Sequence, residues 1–102
     1  MKIKSITDRM ITFDNGAKMV QYCPFENETG YAAFSEIDKE ALDFEFRKTI
    51  RFDVGFAGGI MFGSVKRMFF IPCYSEQNGY YSSDIQIYYN QRKVLDFDAK
   101  MA

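Results

Sequence analysis

The stretch MITFDNGAKMVQY, residues 10–22, places an Asn-Gly pair between two runs of β-forming residues. Asparagine and glycine tolerate the positive φ angles that tight hairpin turns require, so Asp14-Asn15-Gly16 predicts a turn between two antiparallel strands. Residues Lys2 to Ile6 precede this segment and are typical of another short strand. An N-terminal β-hairpin is therefore the starting point for the fold, and it is the stronger of two hairpin signals in the chain.

The middle of the chain alternates between apolar and polar residues. Every even position from Leu42 to Phe56 is apolar except Lys48, and no odd position carries a large apolar side chain. A period of two predicts a half-buried antiparallel strand, with a break or bulge near Lys48 because an unpaired ammonium is costly to bury. Before it, SEIDKEAL (residues 35–42) predicts a short helix with Ser35 as its N-cap.

Three further strands are expected in the C-terminal half. MFFIPCY (residues 68–74) predicts a buried strand with Pro72 at an edge or bulge, because proline has no amide donor. DIQIYYN (residues 84–90) alternates in the same way, and Val94 to Phe97 predicts the last strand. The pattern therefore indicates an α+β, β-rich fold: a single antiparallel sheet of about six to seven strands, a meander of hairpins, and one short helix.

Length and charge limit the possible functions. At 102 residues the chain corresponds to a single domain, residues 1–102. The net charge of −1 favours neither a DNA mimic nor a sequence-independent nucleic-acid binder, so direct nucleic-acid binding is not expected. Residues 26–45 are acidic and residues 47–67 are basic. We expect these two blocks to neutralise each other across neighbouring strands.

Catalytic and metal-binding patterns are missing from the sequence. The chain has no histidine, which excludes nucleophile pairs that use histidine and the usual histidine-containing zinc sites. Cys23 and Cys73 are expected to be free thiols. We therefore expect no enzyme activity, no cofactor and no metal. Because no long apolar segment or signal-peptide pattern is present, we expect no membrane association and a cytoplasmic location.

Tyrosines are concentrated near the C-terminus, where residues 70–90 contain five of the seven. Adjacent strand residues face opposite sides, so Tyr80 and Tyr81 are not both expected in the core, and the same holds for Tyr88 and Tyr89. Rings that are buried with only the hydroxyl at the surface would explain some of them structurally. Outward-facing tyrosines among small polar residues are typical of binding surfaces. The predicted partner-binding patch consists of Tyr74, Gln77, Asn78, Tyr80, Tyr81 and Ser82.

The pattern PCYxxQNGYYS, residues 72–82, resembles a distinctive stretch in a group of small uncharacterised proteins of phages and prophages. IKSITDRMITFDNGAKM (residues 3–19) and YAAFSEID (residues 31–38) are similar to the same group, in the same order. In members of that group, the loop after the first hairpin resembles a histidine-containing segment followed by paired cysteines. Residues 22–31 here read YCPFENETGY, with one cysteine and no histidine, so no metal role is carried over.

The resemblance implies a phage protein that acts by binding a host factor. Our first hypothesis is a non-enzymatic, phage-borne inhibitor of a host defence system, similar to an anti-CRISPR, that contacts a host protein such as a defence nuclease. The alternative is a module that binds or sequesters a nucleotide or signalling molecule, with Arg47 and Arg51 holding phosphate and a tyrosine stacking on the base. The third is a phage structural or assembly protein that associates through an exposed strand edge. The oligomeric state is left open.

Overall fold

The computed structural model describes residues 1–22, 30–55, 58–75 and 84–98. Within these ranges the chain forms ten β-strands and two 3₁₀ turns. The strands are β1 (Ile3–Ile6), β2 (Met10–Phe13), β3 (Lys18–Tyr22), β4 (Gly30–Ala32), β5 (Arg51–Val54), β6 (Ile60–Gly63), β7 (Met68–Ile71), β8 (Cys73–Ser75), β9 (Asp84–Tyr89) and β10 (Arg92–Asp98). The 3₁₀ turns cover Phe34–Glu36 and Lys39–Asp43.

The strands form three separate sheets, so the expected single sheet of six to seven strands is wrong. One sheet has the order β1-β2-β3-β9-β10, a second pairs β4 with β8, and the third has the order β5-β6-β7. Every pairing is antiparallel, as predicted. A meander would place β3 beside β4, but β3 pairs instead with β9. Alternation identifies which side chains face the core, but it does not specify which strands pair.

The N-terminal hairpin prediction is confirmed. Gly16 has a φ of 89°, and its amide donates to the Phe13 carbonyl at 3.0 Å. The Asn15 side chain accepts a hydrogen bond from the Ala17 amide at 3.0 Å. These contacts close a three-residue turn in which glycine takes the one left-handed position.

The C-terminal strands β9 and β10 are joined by a two-residue turn without glycine. Asn90 and Gln91 have φ angles of 49° and 70°. The Asn90 side chain accepts from the Lys18 amide, and the Asn90 amide donates to the Lys18 carbonyl, both at 3.0 Å. Asn90 therefore fixes this turn to the end of β3. The last strand is longer than the predicted one, since β10 begins at Arg92.

The expected short helix is wrong, because residues 34–43 form two 3₁₀ turns. Ser35 lies inside the first turn, whereas Asp38 caps the second by accepting from the Glu40 amide at 3.0 Å. The expected long strand is confirmed only over Arg51–Val54, beyond the break predicted near Lys48.

Residues before β5 keep part of the predicted inward pattern without forming a strand. Phe46 and Ile50 are buried, but Leu42 is 41% exposed, and within β5 itself Val54 is 44% exposed. The Phe46 amide donates to the Met1 carbonyl at 2.7 Å instead of to a strand ladder. The segment is thus extended and partly buried, yet it pairs with the start of the chain.

The hydrophobic core lies between the five-stranded and three-stranded sheets. The ring of Phe46 sits 5.5 Å from the rings of both Phe13 on β2 and Phe62 on β6. It also contacts Phe69 on β7, with the ring centroids 5.6 Å apart. Phe46 therefore joins the two sheets from a segment that belongs to neither. The largest fully buried side chains are Phe13, Phe34, Phe62, Phe69, Ile11, Met19, Ile60, Ile71, Ile85 and Ile87.

Two residues hold the small β4-β8 sheet in place. Pro72 separates β7 from β8, so residues 68–74 form two strands in different sheets and not the single strand with Pro72 at an edge or bulge that was expected. Its carbonyl accepts from the Ala33 amide at 2.9 Å. The buried side chain of Gln21 on β3 accepts from the Ala32 amide and donates to the Gly30 carbonyl, at 2.8 and 3.0 Å. Gln21 thereby satisfies backbone hydrogen-bonding groups on the edge of β4 that is not paired with β8.

Candidate functional site

Only Tyr74 of the predicted tyrosine patch lies within the described residues. The other members, Gln77, Asn78, Tyr80, Tyr81 and Ser82, fall in residues 76–83, outside them. The strands on either side of this segment, β8 and β9, belong to different sheets. The predicted turn at Asn78-Gly79 also lies outside the described residues.

Tyr74 forms an aromatic pair with Tyr31 across the β4-β8 sheet. Their ring centroids are 5.6 Å apart, and Tyr31 is 38% exposed. The Tyr74 hydroxyl donates to a Glu36 carboxylate oxygen at 3.1 Å, and this bond raises the pKa of the hydroxyl. The hydrogen bond of the hydroxyl therefore fixes the orientation of the Tyr74 ring, while the Tyr31 ring remains partly accessible to solvent.

A second tyrosine pair lies on the five-stranded sheet, on the face opposite the core. Tyr22 on β3 is 51% exposed, and its ring meets that of Tyr88 on β9 edge to face at 5.6 Å. The register places Val20 directly across from Tyr88. These side chains form one wall of a groove of about 680 Å³, which we call the outer-face groove. It is lined by Gly16, Lys18, Val20, Tyr22, Tyr88, Asn90 and Gln91.

Tyr89 lies on the other face of β9, as expected for neighbours in a strand. Its ring packs against Phe13 and Phe52, with centroids 6.2 and 5.4 Å away. Its hydroxyl donates to the Lys48 carbonyl at 3.3 Å, and burial raises its pKa. Tyr89 therefore fits the structural explanation for tyrosines, whereas Tyr22 does not.

Sequence reasoning missed Tyr22 and Val20. The signal was present in alternation, because Lys18, Val20 and Tyr22 occupy the positions of β3 that do not face the core. Two apolar or aromatic residues on a solvent face mark an exposed patch. Of the three side chains on this wall, the sequence singled out Tyr88, which it expected to lie on the opposite face of the strand from Tyr89.

The candidate anion-binding residues Arg47 and Arg51 do lie together. With Thr49 they line a groove of about 390 Å³, which the hairpin turn between β6 and β7 completes with Ser64 and Lys66. Ile50, Gly63 and Val65 are the remaining lining residues. No carboxylate is among the described residues that line this basic groove.

The acidic and basic blocks neutralise each other less than expected. Arg67 pairs with Asp38 and Glu40 and lies over the ring of Phe69, 4.4 Å from its centroid. Within the described ranges, no other cation of the basic block forms a salt bridge. The acidic block therefore pairs with Arg67 and leaves the basic groove positively charged.

Among the described residues, Cys73 is the one thiol, and it is buried. Cys73 is free, and burial raises its pKa to about 12, which makes it a poor nucleophile at neutral pH. Cys23 lies outside the described residues. Across residues 1–22, 30–55, 58–75 and 84–98, no three side chains of the metal-ligating types cluster together, and no helix is long and apolar enough to cross a membrane.

No family model, curated protein or solved structure matches this chain. Its candidate sites therefore have to be weighed on their own geometry. Two surfaces are candidates: the outer-face groove with its tyrosines, and the basic groove beside the start of β5.

Proposed function

We propose that this chain is a non-enzymatic binding protein that inhibits a host defence system by contacting a host protein, and that it is carried by a phage. The observation that carries the proposal is the outer-face groove, whose tyrosines lie on the face of the five-stranded sheet that does not pack against the core. The predicted partner is a protein such as a defence nuclease. The likeness of residues 72–82 to phage and prophage proteins supports the biological setting.

The outer-face groove has the composition of a protein-binding surface. Its centre is apolar and aromatic, with Val20, Tyr22 and Tyr88 in contact or directly paired. Polar groups line the end of the groove at the β9-β10 turn, where Lys18, Asn90 and Gln91 lie. Protein interfaces combine an aromatic, desolvated centre with a polar rim, and tyrosine is enriched among the residues that contribute most binding energy. A tyrosine ring also loses little conformational entropy when it is immobilised.

The groove is presented on a preorganised backbone. Its strands β3 and β9 are central in the five-stranded sheet, with a neighbour on each side. The Asn90 contacts to Lys18 fix the turn at one end of the groove. A surface that needs little ordering on binding retains more of its contact energy.

Assembly through an edge of the five-stranded sheet has less support. The outer strands of the five-stranded sheet are β1 and β10, and each has a register irregularity in its pairing. β10 also carries charges at Arg92, Lys93, Asp96 and Asp98. Bulges and charges on edge strands are devices that discourage pairing with another chain.

The proposal is tested by immobilising the full chain, capturing proteins from a host lysate and repeating the capture with variants. We expect Tyr22→Ala and Tyr88→Ala each to weaken binding of the purified partner about thirtyfold, the effect of losing roughly 2 kcal/mol at a hot spot. Both variants are expected to unfold within about 1 kcal/mol of wild type because the rings are outside the core.

Leu42→Ala is the matched control, because Leu42 is also an exposed apolar residue but lies in the second 3₁₀ turn. It should bind the partner as wild type does. A partner whose affinity is unchanged by both tyrosine variants would refute the outer-face groove as the contact surface.

A further inference from the structure

We infer that the basic groove binds a small polyphosphate anion. This site is separate from the outer-face groove, so it stands or falls independently of the proposed protein contact. The sequence pointed to Arg47 and Arg51 alone, and the structure adds a third cation, Lys66, and two hydroxyl side chains, Thr49 and Ser64.

Two segments distant in the sequence converge on this groove. Arg51 at the start of β5 pairs with Gly63 at the end of β6, so the turn that follows Gly63 lies beside the residues that lead into β5. Arg47 precedes Arg51 and Lys66 follows Gly63, and both line the groove. The groove volume of about 390 Å³ falls within the range typical of small-molecule sites.

The turn that carries Lys66 is firmly constrained. The Ser64 amide donates to the Arg67 carbonyl at 2.8 Å, and the Arg67 amide donates back to the Ser64 carbonyl at 3.2 Å. Gly63 has a φ of 149°, and a Cβ atom there would come within 2.3 Å of the Arg67 carbonyl oxygen. Only glycine fits this close approach, and the result is a rigid hairpin tip next to the arginines.

The charges in the groove lack internal compensation. Arg67, the neighbouring cation, forms salt bridges with Asp38 and Glu40 and is not among the described residues that line the groove. No salt bridge or hydrogen bond from the side chains of Arg47, Arg51 or Lys66 is found among the described residues. Asp53, two residues beyond Arg51, uses one carboxylate oxygen to accept from the Val54 amide at 2.9 Å. An anion with several charges would relieve the mutual repulsion of the three cations.

The lining residues also select the class of anion. Arginine forks bind phosphate oxygens in pairs, and serine and threonine hydroxyls add further donors. None of the described lining residues is aromatic, so the tyrosine that was expected to stack on a nucleotide base is not provided here. Recognition should therefore depend on the phosphate chain and not on a base.

The test is a titration of the full-length, ¹⁵N-labelled chain with inorganic pyrophosphate at low salt, followed by backbone amide shifts. We expect saturable shifts centred on Thr49, Gly63 and Ser64. Arg47→Ala and Arg51→Ala should each weaken binding by about tenfold, the usual effect of losing a charge-assisted hydrogen bond. Arg92→Ala, at the exposed start of β10, is the matched control and should bind pyrophosphate as wild type does.

Parallel titrations separate the sources of the phosphate. ATP and inorganic triphosphate should bind alike, and adenosine should cause no shift. Absence of saturable shifts with pyrophosphate, or equal weakening by Arg92→Ala and Arg47→Ala, would overturn the site. Binding of adenosine alone would overturn the dependence on phosphate, and a short single-stranded oligonucleotide that binds more tightly than triphosphate would replace the site with a nucleic-acid surface.

Discussion

Replacing Gln21 with alanine should destabilise the protein more than any other polar substitution in the five-stranded sheet. Gln21 is 4% exposed, and its two hydrogen bonds satisfy the Gly30 carbonyl and the Ala32 amide, which are also buried. Leaving a buried donor or acceptor unsatisfied costs about 1 to 3 kcal/mol, and the missing side chain adds a cavity. We therefore expect Gln21→Ala to lower the free energy of unfolding by about 3 to 5 kcal/mol, a large part of a typical domain's stability.

The measurement is urea denaturation at pH 7 followed by far-UV circular dichroism. Gln86→Ala on β9 is the control, because its side-chain amide donates to the nearby Asp84 carboxylate and to no other described residue. It should cost under about 1 kcal/mol. Gln21→Glu sharpens the test: the introduced carboxylate still accepts from Ala32 but repels the Gly30 carbonyl. Burial raises the pKa of such a group, so the deficit relative to wild type should shrink as the pH falls toward about 4. A loss below roughly 1 kcal/mol in Gln21→Ala would refute the role assigned to this side chain.

Three further substitutions test the core, the thiol and the last turn. Phe46→Ala should lower the free energy of unfolding, measured by urea denaturation, by about 3 to 5 kcal/mol, because the ring joins two sheets. Phe52 is half-buried, so Phe52→Ala should lower it by about 2 kcal/mol. Equal losses would contradict the central position of Phe46. Burial raises the pKa of the Cys73 thiol from 9.0 to about 12, so its contribution to stability is complete below pH 9 and is lost as the pH rises, by about 1.4 kcal/mol per unit. Cys73→Ala should make the fall in stability above pH 9 shallower, and an unchanged slope would show that the thiol does not titrate as described. Gln91→Gly should raise the melting temperature and add roughly 0.5 to 1 kcal/mol, because a non-glycine residue at a φ of 70° is strained; destabilisation would contradict the left-handed turn.

Local features of the fold were predictable where a single residue type carries the constraint. Asn15-Gly16 predicted the first hairpin because glycine alone takes its left-handed position without strain. Pro72 was expected at an edge or bulge of one strand because it cannot donate to a ladder, but it lies between two strands of different sheets. Pairing between distant strands was not predictable. The contact of β3 with β9, and the role of Gln21 in covering β4, depend on side chains far apart in the sequence.

The same distinction holds for the candidate sites. Arg47 and Arg51 were predicted to act together, and they do line one groove, although the chain is a strand only from Arg51. Lys66 was not linked to them because its approach depends on the β5-β6 register. Tyr22 was not predicted as a site residue because the concentration of tyrosines in residues 70–90 favoured a binding surface in the C-terminal half.

The most direct test of the proposed function is the efficiency of plating of a phage on cells with an active CRISPR defence, compared with matched cells that lack it. Cells would express the wild-type chain, the double variant Tyr22→Ala/Tyr88→Ala, or Leu42→Ala. We expect the wild type and Leu42→Ala to restore plating toward the level of defence-free cells, and the double variant to leave the defence intact. Equal protection by the double variant, or no protection by the wild type, would contradict inhibition through the outer-face groove.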